Sequence, residues 1–150
     1  FKATSLTLKK VFQQLKLHHV NLSGILLKPN MVISGTECEE QASVEKVAKL
    51  TVQCLNENVP KDVSGIVFLS GGQSNEKATL HLNEMNKLFK NLPWKLSYSY
   101  GRALQQPAIS SWKGEENNIK ISQDALFKRS KLNSSATSGT YSPNDEQQIL

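Results

Sequence analysis

Residues 64–74 read Ser64-Gly65-Ile66-Val67-Phe68-Leu69-Ser70-Gly71-Gly72-Gln73-Ser74, and the fold turns on this stretch. Its centre, Ile66 to Leu69, is an unbroken apolar run, the pattern of a strand covered on both faces in a parallel sheet. Gly71 and Gly72 stop the run. Ser74 then reads as a helix N-cap, with Glu76 placed favourably in the first turn. Ala78, Leu82, Met85 and Phe89 follow at helical spacing and predict the buried face of that helix. Strand, glycine turn and helix follow one another within about 25 residues, the unit from which α/β folds are built.

The same unit recurs on either side. Upstream, Gly24-Ile25-Leu26-Leu27-Lys28 predicts a short buried strand that Pro29 ends, leaving Lys28 extended at its C-terminal end. Before it, Leu8, Val11, Phe12 and Leu15 mark an amphipathic helix. After it, Val44, Val47, Ala48 and Leu55 mark a second helix between about Ala42 and Leu55. Downstream, Pro93-Trp94 opens a third strand, Lys95 to Tyr100, ending at Gly101-Arg102. A short helix near Ala103 to Trp112 and a longer one from Glu116 to Leu132 complete the pattern. From Asn133 to Leu150 the composition turns to Ser, Thr, Gly and Asn, which predicts a mobile tail after a folded part spanning residues 1–132. Alternating strands and helices require right-handed βαβ units and a parallel sheet, either a barrel or an open doubly wound sheet.

Composition sets bounds on function. The chain has 150 residues, 38% hydrophobic and 21% charged, a globular balance for one domain. Eighteen basic residues against 13 acidic ones give a net charge of +5, which favours anionic partners such as phosphates. No run of Lys or Arg interleaved with aromatics appears, so the sequence points away from nucleic acid. No apolar run approaches the roughly 20 residues of a membrane span. Cys38 and Cys54 lack a C-x-x-C spacing and read as reduced thiols. His18, His19 and His81 lack the partners of a zinc site and read as structural or surface residues.

In parallel α/β folds, chemistry gathers where strands end and helices begin. Lys28 ends an apolar strand, where desolvation disfavours the ammonium and frees a nucleophilic amine of the kind that forms imines. A lysine that snorkels outward to pair with a carboxylate fits the same position. Ser70-Gly71-Gly72-Gln73-Ser74 offers backbone N–H groups and a helix N-terminus to an anion, or else is simply a tight turn with a cap. Arg102, after Gly101, presents a planar donor fork suited to phosphate, or else a surface ion pair. An amine and an anion cradle at one rim suit a phosphorylated carbonyl compound.

Three stretches carry a resemblance: Leu26-Leu27-Lys28-Pro29-Asn30-Met31, Phe68-Leu69-Ser70-Gly71-Gly72-Gln73-Ser74 and Ser99-Tyr100-Gly101-Arg102-Ala103-Leu104-Gln105. In this order and spacing they resemble the signatures of class I fructose-bisphosphate aldolases, with Pro93-Trp94 and Trp112 in keeping. The likeness extends to about Tyr141. It implies an α/β fold, the C-terminal half of a (β/α)8 TIM barrel in which these motifs end strands 6 to 8. It implies Lys28 as the Schiff-base lysine. Ser70, Gly71, Gly72, Ser99, Gly101 and Arg102 would hold the ketose phosphate. The implied activity is the glycolytic cleavage of fructose 1,6-bisphosphate to dihydroxyacetone phosphate and glyceraldehyde 3-phosphate in the cytoplasm. The iminium serves as electron sink, so no metal or other cofactor is implied. The family is usually tetrameric.

A whole barrel runs to about 250 residues. The chain opens on Phe1 almost directly into a helical pattern, so the expectation is a fragment. The family's aspartate, glutamate and further lysines for proton handling have no counterpart here, and Leu150 stands where the family ends on tyrosine. Three parallel strands leave open edges and an apolar face, so the chain alone is expected to aggregate and to turn over little substrate. A catalytically inactive, aldolase-derived binding or scaffold protein is the alternative reading.

Overall fold

The computed structural model of the chain describes residues 1–148. Helix α1 spans Lys2–Leu17 and buries Ser5, Leu8 and Phe12, while Val11 turns to the exposed side. A 3-10 turn at Leu22–Gly24 leads into β1, Leu26–Leu27. The expected strand from Gly24 is therefore shorter, because Asn21 accepts a hydrogen bond from the Ser23 amide and holds the preceding residues in a turn.

Helix α2 spans Val44–Asn58, capped by Ser43, whose hydroxyl accepts from the Lys46 amide. Strand β2 is Gly65–Phe68 and helix α3 is Asn75–Leu88, capped by Ser74 through the Lys77 amide. Strand β3 is Leu96–Tyr98, followed by helix α4, Arg102–Trp112. A 3-10 turn at Glu116–Asn118 precedes α5, Ile119–Ser138, and a last short helix, α6, is Asp145–Gln148.

The three strands pair in parallel in the order β1-β2-β3, with Leu26 opposite Gly65, Ile66 opposite Leu96 and Phe68 opposite Tyr98. Side chains alternate across a pleated sheet. One face, carrying Ile66, Phe68 and Leu96, is buried with Val47, Val52, Leu82, Met85 and Leu132 from α2, α3 and α5. The other face carries Leu26, Lys28, Val67 and Ser97. There Leu26 is 64% exposed and Val67 and Ser97 are only half-buried.

Strands covered on both faces were expected, and the described residues cover one. The apolar run in β2 is a signal for two covered faces, but the described residues supply helices for only one of them.

A mobile tail from Asn133 is also not what the structure has. Helix α5 continues to Ser138, and Asn133, Ala136 and Tyr141 are buried. Polar composition misleads here because several of the polar groups find distant partners, although Asn133 Nδ2 and Arg129 Nε are buried without one among the described residues. The Thr79 hydroxyl donates to Asn133 Oδ1 at 2.7 Å, and the Tyr141 amide donates to Asn83 Oδ1 at 2.9 Å. The guanidinium of buried Arg129 grips both carboxylate oxygens of Glu146 at 2.6 and 2.7 Å. Small residues let α5 end close against α3. A β-carbon on Gly139, whose φ is +72°, would lie 2.8 Å from the Lys87 backbone nitrogen. The part of the expected tail at residues 149–150 lies outside the described residues.

Candidate functional site

Because the strands are parallel, their C-terminal ends form one rim, and Lys28, the Ser70–Ser74 turn and the Ser99–Arg102 segment all follow strand ends on that side. The rim is tied across by backbone bonds. The Leu69 amide donates to the Pro29 carbonyl at 3.0 Å, and the Ser99 amide to the Phe68 carbonyl at 2.9 Å. These bonds hold the segments after β1, β2 and β3 in register with one another.

After β2 the chain turns through Gly71 at φ +60° and Gly72 at φ +78°. Residues with side chains adopt two successive left-handed conformations only at a cost, which is why glycines stand here. The Gln73 amide closes the turn onto the Ser70 carbonyl at 3.1 Å. Among the described residues, no acceptor takes the amides of Gly71 or Gly72, so both N–H groups are free for an anion.

Arg102 comes to this turn from β3. A β-carbon on Gly72 would lie 3.9 Å from Nη2 of Arg102, so the guanidinium lies beside the turn. Arg102 is also the first residue of α4, after Gly101, so the positive end of that helix opens at the same place. Turn amides, helix N-terminus and guanidinium converge. Ser70 is buried at the base of the turn and Ser99 is half-buried beside it.

Lys28 stands on the same rim, one residue past β1. The expectation of a desolvated lysine is not met in this chain: Lys28 is exposed, and among the described residues none hydrogen-bonds its ammonium. The cause is the open face. Lys28 projects on the side of Leu26, where no helix of the described residues packs. The structure therefore brings Gly71, Gly72, Gly101 and Arg102 together, and leaves Lys28 near the rim but uncovered.

A buried polar chain lies under the glycine turn, and sequence reasoning missed it. The Gln73 side-chain amide donates from Nε2 to the Ser70 carbonyl at 2.8 Å and approaches Met31 Sδ at 3.6 Å. Its Oε1 is 2.6 Å from Nδ1 of His81. A carbonyl can only accept, so the amide nitrogen must face Ser70 and its oxygen must face His81. The imidazole therefore carries its proton on Nδ1. His81 is 6% exposed. Burial, reinforced by Lys77 one turn earlier, lowers its ionisation to about 4 and keeps it neutral near pH 7. Eight residues separate Gln73 from His81, with a helix start between them, so no simple spacing announces the pair.

A family model described as fructose-bisphosphate aldolase class-I matches residues 1–149. The chain belongs to the class I fructose-bisphosphate aldolase family. It is 49% identical over 140 residues to a fructose-bisphosphate aldolase of Dictyostelium discoideum, a match covering 93% of this chain and 39% of that protein. It is likewise 49% identical over 143 residues to the cytoplasmic isozyme of Cicer arietinum, covering 95% and 40% of the two chains. The solved aldolase of Plasmodium falciparum, in complex with TRAP and a small-molecule inhibitor, superposes with a TM-score of 0.90 at 44% identity. That match covers 93% of this chain and 40% of that one. The chain thus spans about 40% of the length of these aldolases. Its α/β fold, a three-stranded parallel sheet with helices, is part of the aldolase structure. Among the described residues, no helix is long and apolar enough to cross a membrane.

Proposed function

We propose that this chain is the part of an aldolase barrel that carries the imine-forming lysine and the ketose-phosphate site, its strands being the sixth to eighth of eight. The observation that carries the reading is the meeting of Arg102 with the Gly71–Gly72 turn on the rim that also bears Lys28. A phosphate held by these amides, by the α4 N-terminus and by the guanidinium is fixed by charge and by geometry. Holding the phosphate also holds the carbonyl of the same molecule within reach of an amine, an orientation effect as well as an affinity.

In this reading the substrate is fructose 1,6-bisphosphate and the retained product is dihydroxyacetone phosphate. The amine of Lys28 adds to the ketone carbon, water leaves, and an iminium forms. The bond between the carbon beside the iminium and the hydroxyl-bearing carbon beyond it then breaks: the hydroxyl loses its proton to a base and becomes the aldehyde of glyceraldehyde 3-phosphate, while the bond's electron pair passes into the iminium to give an enamine. Ser70, Gly71, Gly72, Ser99, Gly101 and Arg102 bind the phosphate throughout. Removing the hydroxyl proton that starts cleavage needs a base that none of this chain's rim residues provides. Closure of the barrel over the open sheet face would supply both that base and the desolvation Lys28 requires. The protein works in glycolysis in the cytoplasm and assembles as a homotetramer.

The exposure of Lys28 favours a second reading, a catalytically inactive binding protein that keeps the phosphate cradle alone. Reductive trapping decides between them. With dihydroxyacetone phosphate and borohydride, a secondary amine at Lys28 supports the imine chemistry, and Lys28→Ala abolishes it. Phosphate binding without any adduct at Lys28 overturns it in favour of the binding protein.

A further inference from the structure

The Gly71–Gly72 part of the phosphate cradle is backbone, and backbone in a two-glycine turn has little stiffness of its own. Something must hold Gly71 and Gly72 at φ values of +60° and +78°, with their amides untaken by any acceptor among the described residues. The turn's own bond, from the Gln73 amide to the Ser70 carbonyl, is joined by a second from the Gln73 side chain to the same oxygen. That side chain is placed in turn by His81 on α3, whose Nδ1 proton meets Gln73 Oε1 at 2.6 Å. The same amide nitrogen approaches Sδ of Met31, which is 2% exposed and lies three residues beyond Lys28.

We propose that His81 is a positioning residue for phosphate binding: through Gln73 it locks the Gly71–Gly72 turn and couples that turn to the segment leaving Lys28. The proposal rests on the reading of the turn as the phosphate cradle. His81 touches no substrate and moves no proton. Its contribution is the rotamer it imposes on Gln73. Without the donor at Nδ1, the Gln73 amide is free to rotate, one of the two bonds on the Ser70 carbonyl is lost, and the turn samples conformations whose amides point elsewhere.

The chemistry also names the substitutions that separate positioning from bulk stability. Asparagine carries an N–H on the atom corresponding to Nδ1 of histidine, so His81→Asn keeps the donor. His81→Leu fills similar space and removes it. Reductive trapping at Lys28 in the full chain is measured with dihydroxyacetone phosphate and with unphosphorylated dihydroxyacetone. The expected result is about tenfold weaker dependence on dihydroxyacetone phosphate in His81→Leu, the loss of one buried hydrogen bond. Trapping by dihydroxyacetone stays unchanged, and His81→Asn remains within about twofold of the native chain. Equal response of His81→Leu and the native chain to dihydroxyacetone phosphate would overturn the proposal. So would a parallel loss with both ketones that His81→Asn fails to restore, since that marks general unfolding. If the native chain forms no adduct at all, the imine reading fails separately. Inorganic phosphate titrated against the amide resonances of Gly71 and Gly72 then decides: a midpoint about tenfold higher in His81→Leu alone supports positioning, and identical midpoints refute it.

Discussion

Nη2 of Arg102 lies 3.9 Å from the place a β-carbon would occupy on Gly72. The two residues come from different strand ends, 30 positions apart, and they meet because β2 and β3 run parallel in register. A planar fork beside a free backbone turn is a phosphate site with shape as well as charge.

The first prediction follows from that shape. Arg102→Ala should weaken binding of dihydroxyacetone phosphate about a hundredfold, and Arg102→Lys about tenfold, because an ammonium keeps the charge but not the paired donors. Titration calorimetry with each variant measures both. Equal affinities for the native chain and Arg102→Lys would show that charge alone suffices.

Gly139 tests the end of α5. An alanine there must hold φ at +72° and place its β-carbon 2.8 Å from the Lys87 nitrogen, which is backbone and cannot swing aside. Gly139→Ala should cost about 3 kcal/mol in urea unfolding. A loss under about 0.5 kcal/mol would mean that the chain after Ser138 is not held against α3.

His81 makes stability depend on pH in a definite direction. Its imidazole titrates at about 4 in the folded chain, below its usual 6.5. Stability from the neutral ring is complete above pH 6.5, declines as the unfolded chain takes up the proton, and is gone by about pH 4, a loss on the order of 2 kcal/mol after solvent screening. Denaturant midpoints measured across that window should fall with falling pH. His81→Asn should flatten this part of the profile.

The open sheet face should make the chain self-associate. Leu26, 64% exposed at its centre, is the residue to change. Leu26→Lys should lower the apparent mass in sedimentation at a given concentration. An unchanged distribution would place the contact elsewhere.

Much of this fold was legible because its signals are local. Ser74 caps the helix that its position announces, and Ile66 to Leu69 could hardly be other than a strand in this setting. Covering of a strand is not a local property. The run in β2 reads the same whether one face or two are packed, so the exposure of Leu26 and Lys28 could not be read from it. The segment after Leu132 misled for a related reason. Thr79 bonds Asn133, and Asn83 accepts from the Tyr141 amide, and composition cannot report a partner 50 or more residues away. At the rim, glycines and Arg102 stand out by type, whereas Gln73 and His81 become meaningful only once α3 is folded beneath the turn.

The most direct measurement is the ratio of borohydride-trapped adduct at Lys28 from dihydroxyacetone phosphate to that from dihydroxyacetone, in the native chain and in Arg102→Ala. If an amine and an anion cradle share one rim, the native ratio is well above one and Arg102→Ala brings it close to one. The same ratio in both chains, or labelling spread evenly over the surface lysines, would contradict it.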